Sequence, residues 1–172
     1  MTYTRLSLAA AVVLAVTIIT QAAGQSCTGN NCSVTNAASV SVPSVMRLTL
    51  STAATTLTNP VEAAFDAGFQ DDAGPTATVK SNRPWNLTVA SQAATWTGTS
   101  GGRATKGAAD LQWKQGAGAL ASLNTTAANV YGASQAATAS ASTAFSYRTV
   151  WSYAADVPGD YSMVVVYSLT AP

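Results

Sequence analysis

Phe145-Ser-Tyr-Arg-Thr-Val-Trp-Ser-Tyr153 and Tyr161-Ser-Met-Val-Val-Val-Tyr-Ser-Leu169, joined through Asp156-Val-Pro-Gly-Asp160, carry the clearest structural signal in the chain. In the first, Phe145, Tyr147, Thr149, Trp151 and Tyr153 fall on every second position; in the second, Tyr161, Met163, Val165, Tyr167 and Leu169 do the same. Side chains on a strand alternate between faces, so each segment has one aromatic and aliphatic face. The two segments and the turn between them predict an antiparallel hairpin with one large apolar face. Within the turn, Pro158 presets one backbone angle, Gly159 tolerates positive φ, and Tyr161 is placed to fold its hydroxyl back onto the backbone begun at Asp156.

The same period recurs upstream. Met46, Leu48 and Leu50 alternate, as do Trp85, Leu87 and Val89, and Leu111 with Trp113. The expected strands cover residues 34–42, 45–51, 76–81, 85–90, 94–99, 110–114, 145–153 and 161–170. With turn residues recurring between them and long helix-forming side chains scarce, the expected fold is an all-β, immunoglobulin-like antiparallel β-sandwich. One segment departs from period two. Asn59-Pro60-Val61-Glu62 has a capping residue, Pro at the first helical position and a carboxylate three residues after the cap, so one short helix near residues 60–67 stands as an equal alternative to a strand there. Residues 116–142 are small and polar apart from Leu120, Leu123 and Val130, and read as edge strands or a long loop.

The N-terminus has the layout of a secretory signal peptide. Arg5 precedes an apolar run from Leu6 to Ile19, and small residues Ala22, Ala23 and Gly24 follow. The expected organisation is a cleaved leader over 1–24, an N-terminal Cys loop over 25–33 and a single β-sandwich domain over 34–172. The apolar run is shorter than the roughly 20 residues a spanning helix needs, so no transmembrane anchor is expected in the mature chain. Export makes the Cys27/Cys32 pair a candidate disulfide, a local staple closing a small loop.

Charged residues make up 9% of the chain, with eight Lys/Arg against seven Asp/Glu. Such sparse and balanced charge gives no electrostatic footprint for nucleic acid. Apart from Arg5 in the expected leader, the basic residues Arg47, Lys80, Arg83, Arg103, Lys106, Lys114 and Arg148 are scattered along the chain. Histidine is absent, which removes the commonest general base and the His-dependent triads and zinc sites. No serine stands in a Ser-x-x-Lys setting, and the single Gly-x-Ser-x-Gly match, Gly98-Thr-Ser-Gly-Gly102, has no histidine in the chain to activate it. The chain therefore reads as non-catalytic and without a cofactor.

Two candidate ligand sites remain. Asp66, Asp71 and Asp72 lie in one loop-like stretch, and clustered loop carboxylates suit calcium; ordinary turn chemistry accounts for the same residues. Trp96, between Thr95 and Thr97, is the tryptophan least in phase with other apolar positions and is the candidate for stacking on a sugar face.

Three family resemblances follow from short motifs. The Asp156-x-Pro158-Gly159-x-Tyr161 turn resembles the tyrosine corner of immunoglobulin-like sandwiches, and its run into an alternating strand is similar to bacterial immunoglobulin-like surface modules. Val79-Lys-Ser-Asn-Arg-Pro-Trp85-Asn-Leu-Thr-Val89, with Tyr167-Ser-Leu-Thr-Ala-Pro172, resembles the WxL surface domains of Gram-positive bacteria, although Trp85-x-Leu87 occurs once only. That resemblance implies non-covalent attachment to cell wall. Gly159, fourteenth from the last residue, followed by an apolar strand, is similar to fimbrial subunits assembled by strand donation. That family's penultimate Tyr is replaced here by Ala171. The expected role is a secreted, cell-surface structural or interaction module (periplasmic in a Gram-negative cell) whose partner is itself or a wall component. A strand-exchanging pilus or filament subunit is the alternative, with the segment around Val34, Val40 and Val42 as donor, and a carbohydrate or wall-polymer binder is the third reading.

Overall fold

The structure, a computed structural model, describes residues 24–172. The expected leader, residues 1–24, lies outside them apart from Gly24. The chain divides into two units, residues 1–41 and 42–172. In the first, Cys27 and Cys32 are joined in a disulfide. Residues 34–42, expected as a strand, carry none, and their side chains are exposed. Val34, Val40 and Val42 are separated by small polar residues and alanine, so the segment has too little apolar surface to hold it on a sheet.

The second unit is mostly β, and among the described residues strand outweighs helix by 41% to 6%. Its elements are β1 (Met46–Leu50), α1 (Glu62–Ala67), β2 (Phe69–Ser81), β3 (Asn86–Ser91), β4 (Thr97–Ser100), β5 (Leu111–Gln115), β6 (Ala121–Ser122), β7 (Ala128–Asn129), β8 (Thr138–Val150), β9 (Asp160–Ser162) and β10 (Val165–Thr170). All pairings are antiparallel. One sheet has the order β1-β2-β8-β5-β6, the other β10-β3-β7, and β4 with β9 forms a separate ribbon. The two larger sheets pack face to face as a β-sandwich.

The alternation of the C-terminal segments is retained, but their pairing is not that of a hairpin. β8 lies between β2 and β5 in one sheet, whereas β10 pairs with β3 in the other. Their apolar rows face each other across the core: the rings of Phe145 and Tyr167 meet edge to face at 4.9 Å, and the Tyr147 and Tyr167 hydroxyls are 2.6 Å apart. An isolated hairpin would leave one large apolar face uncovered. Placing its arms in opposite sheets lets each face cover the other. The first arm also stops early, at Val150, and residues 151–159 form the crossing.

The core centres on Ala77, Val79, Trp85, Leu87, Val89, Leu111, Trp113, Leu123, Phe145 and Tyr147, all at most 5% exposed. Trp85, Leu87, Val89, Leu111 and Trp113 are the inward positions that the sequence period selects. The long strand β2 escapes that period because it contains a bulge between Ala73 and Thr76. Before the bulge Asp72 stands opposite the inward Tyr147; after it the buried positions are Pro75, Ala77, Val79 and Ser81. The extra residue reverses parity, so only the part from Thr76 reads as a strand in the sequence. Gly74 fits this kink because a Cβ there would lie 3.1 Å from Phe145 Cβ.

Of the two readings for residues 60–67, helix or strand, the structure has the helix, α1, but its cap differs from the expected one. Val61, not Asn59, is the N-cap and makes no side-chain capping bond. Gly68 closes the helix in the left-handed region at φ 78°, its N–H donating to the Phe65 carbonyl. Phe65 then stacks on Tyr153 at 4.9 Å and packs on Trp151 at 5.9 Å, which fastens the helix to the crossing segment.

Candidate functional site

β1 and β10 border the same side of the sandwich, each as an edge strand. Leu87 and Val89 at the centre are 1% exposed, whereas the inward rows of the two edges, Met46, Leu48 and Leu50 with Val165, Tyr167 and Leu169, are only half-buried. A cleft of about 900 Å3 opens on this side. Leu50 and Leu57 form one wall, Met163, Val165 and Tyr167 the other, and Tyr147 the floor. The chain from Thr52 to Pro60 runs along its rim, and Trp96, Trp151 and Asp156 close one end.

The two tyrosines inside the cleft hold each other. Burial pushes both phenols above their ordinary pKa; for Tyr167 the neighbouring Tyr147 adds to the shift. Both therefore stay neutral well into alkaline solution, as donor and acceptor of one hydrogen bond.

At the closed end stands a cluster of charged groups that is dispersed in the sequence. Lys106 is fully buried, and its Nζ donates to the Val150 carbonyl at 2.7 Å and to Asp156 Oδ1 at 3.0 Å. Asp110 Oδ2 lies 3.7 Å from the same nitrogen and 2.8 Å from Arg103 Nη2. Arg103 Nη1 reaches Asp156 Oδ1 at 3.6 Å. The Trp151 ring covers Lys106 Nζ at 4.2 Å to its centroid. A lone buried ammonium would be strongly disfavoured; two carboxylates, a carbonyl and an indole face together make this one tolerable.

The turn expected at Asp156, Pro158, Gly159 and Tyr161 builds the wall of this cluster. Asp156 Oδ2 accepts from the Ser152 N–H at 2.9 Å, tying the crossing segment into a loop. Tyr161 Oη donates to the Val157 carbonyl at 2.7 Å and accepts from the Arg103 N–H at 2.9 Å. The loop before Lys106 is drawn onto the tyrosine so closely that a Cβ at Gly102 would lie 3.0 Å from the Asp160 carbonyl oxygen.

The other sequence candidates are dispersed. Asp66 is on α1 and accepts from the Tyr153 hydroxyl at 3.2 Å. Asp71 and Asp72 occupy opposite faces of β2. Asp71 is bound by both Arg148 Nε and Nη2, at 2.6 and 2.7 Å, and this hydrogen-bonded pairing lowers its pKa. Asp72 accepts from the Thr58 N–H and hydroxyl. A strand separates side chains that adjacency in sequence suggests are together, so the three carboxylates do not converge on one point. Trp96 is 4% exposed and packs edge to face on Tyr161, so it offers no flat ring to solvent; it serves as a wall of the cleft instead.

Lys106, Arg103 and Asp110 are the residues that sequence reading passes over. The spacing Lys106-x-x-x-Asp110 was a visible signal, but the fourth member, Asp156, is brought in only by the crossing between the sheets. Comparison with known protein families, curated proteins and solved structures finds no match to this chain.

Proposed function

We propose that this chain is an exported, non-catalytic structural module that works by contact at the cell surface, through the open side of its sandwich. The observation that carries this reading is the unequal burial of the core: sealed along β3, β5 and β8, half-open along β1 and β10. An edge strand with free backbone groups beside an uncovered apolar row is a template for an added strand. Chemistry has little support by comparison, since the chain has no histidine and Asp66, Asp71, Asp72, Asp110 and Asp156 each engage a protein donor. The immunoglobulin-like reading is supported by the fold-back of Tyr161 onto Val157.

Strand exchange between copies is the second reading, and β10 favours it specifically. Its neighbour on one side is β3, and the place on its other side is unpaired among the described residues. Residues 24–41 carry no strand of their own and supply a length of chain outside any sheet. Negative-stain microscopy and sizing chromatography of the purified protein test both readings. Deleting residues 25–42 should convert filaments to monomers without unfolding the sandwich. Filaments that persist after the deletion refute strand exchange, and a monomer that binds neither itself nor wall polymer refutes the contact module altogether.

A further inference from the structure

We propose that Lys106 and Asp156 condense into an intramolecular amide that links the loop before β5 to the crossing segment after β8. Lys106 Nζ is fully buried and 3.0 Å from Asp156 Oδ1, whose side chain is itself 3% exposed. Amine and carboxyl are thus held together in a site closed to water, the arrangement that gives intramolecular reactions their large effective concentrations. The reaction begins with the transfer of one proton from the Lys106 ammonium to the Asp156 carboxylate along their 3.0 Å contact, giving an amine and a carboxylic acid.

The neutral amine then attacks Asp156 Cγ. The new bond is Nζ–Cγ, the bond broken is Cγ–Oδ1, and Oδ1 departs with two protons as one water. The ammonium and carboxylate therefore become a secondary amide plus water, with charge and atoms conserved and no oxidant or reductant required. Asp110 Oδ2, 3.7 Å from Nζ, is placed to relay the proton to the departing oxygen. Arg103 lies 3.6 Å from Oδ1 and offers positive charge to the oxygen as it develops negative charge.

The product finds its partners already in place. Its amide N–H faces the Val150 carbonyl, which now accepts from Nζ at 2.7 Å. Its carbonyl oxygen is Oδ2, which now accepts from the Ser152 N–H at 2.9 Å. Both polar atoms of the new amide would stay satisfied without rearrangement. This proposal is independent of what docks in the cleft.

Intact-mass measurement of the purified protein is the test. With the N-terminus of the same sample read by sequencing, the expected mass is lower than that of the chain from that N-terminus to Pro172 by one water, beyond the hydrogens lost at the Cys27–Cys32 disulfide. Tryptic digestion should then yield the segment Ala104–Lys114, uncleaved after Lys106, joined to the segment that begins at Thr149. Lys106→Arg keeps the positive charge but cannot form this amide, and should restore the full mass. Asp110→Asn should slow or reduce the loss of water. A full mass in the parent protein, or a missing water with the two segments unlinked, overturns the proposal and leaves a buried ion pair. Loss of the same water from the Lys106→Arg variant overturns it too, and unchanged linkage in Asp110→Asn overturns the relay role of Asp110.

Discussion

Tyr161 shows how one side chain can set the geometry of several segments. Its hydroxyl donates to Val157 and accepts from the Arg103 N–H, and its ring packs on both Trp96 and Trp151. Tyr161→Phe keeps the ring and removes both hydrogen bonds, so stability should fall by about 1–3 kcal/mol, read as a lower urea midpoint with an unchanged slope. Gly102→Ala tests the same junction from the opposite side. With 3.0 Å to a backbone oxygen and 3.2 Å to the tyrosine ring, the added methyl must displace the loop, at a cost of about 1–3 kcal/mol. Asp71→Asn is the contrasting case: the Asp71–Arg148 pair has short bonds, but the Asp71 side chain is 56% exposed. Solvent screening should hold its effect to about 0–1 kcal/mol in a melting experiment. The sequence suggested a fold-back role for Tyr161 through its place after Pro158-Gly159. It gave no reason to place Arg103 beside that hydroxyl, because the two are distant along the chain.

Among the elements, β10 is the one whose two sides differ most. Its inward row, Val165, Tyr167 and Leu169, belongs to the core, while Val164 and Val166 are 57% and 39% exposed. A lysine on the outer side removes no core contact but places charge along the free edge, a recognised way to block strand pairing. The pair Val164→Lys and Val166→Lys should therefore leave the melting temperature nearly unchanged, within about 0.5 kcal/mol per substitution, while abolishing any self-association seen by sizing chromatography. β10 and β8 were legible as strands because period two is a local property that a single sheet face enforces. Their partners were not legible. Pairing depends on where the connection carries the chain, and the same alternation serves a hairpin or two facing sheets equally well. β2 was only half legible for a different reason: its bulge shifts the inward set from even to odd positions at Gly74-Pro75.

For the molecule as a whole, the buried Tyr147–Tyr167 contact makes stability depend on alkaline pH. Both phenols have folded-state pKa values above the ordinary value near 10, raised by burial. The unfolded chain therefore releases these protons first, and stability is fully present below about pH 10 and falls as pH rises beyond it, by roughly 1 kcal/mol per pH unit for each group. Urea unfolding at pH 8, 10 and 11 should show this decline, and Tyr167→Phe should reduce its slope. A slope identical in the variant would place the titrating groups elsewhere. The β class and the inward rows of β3, β5, β8 and β10 were readable from side-chain size and period within a few neighbouring residues, whereas the segment before β2 read equally as helix or strand. The packing of the whole chain put the two arms of the C-terminal segment in opposite sheets. It likewise decided that one side of the core stays half-open and that Lys106 is buried against Asp156. Those outcomes depend on which distant surfaces cover one another, and burial is a property of the packed chain that no local stretch carries.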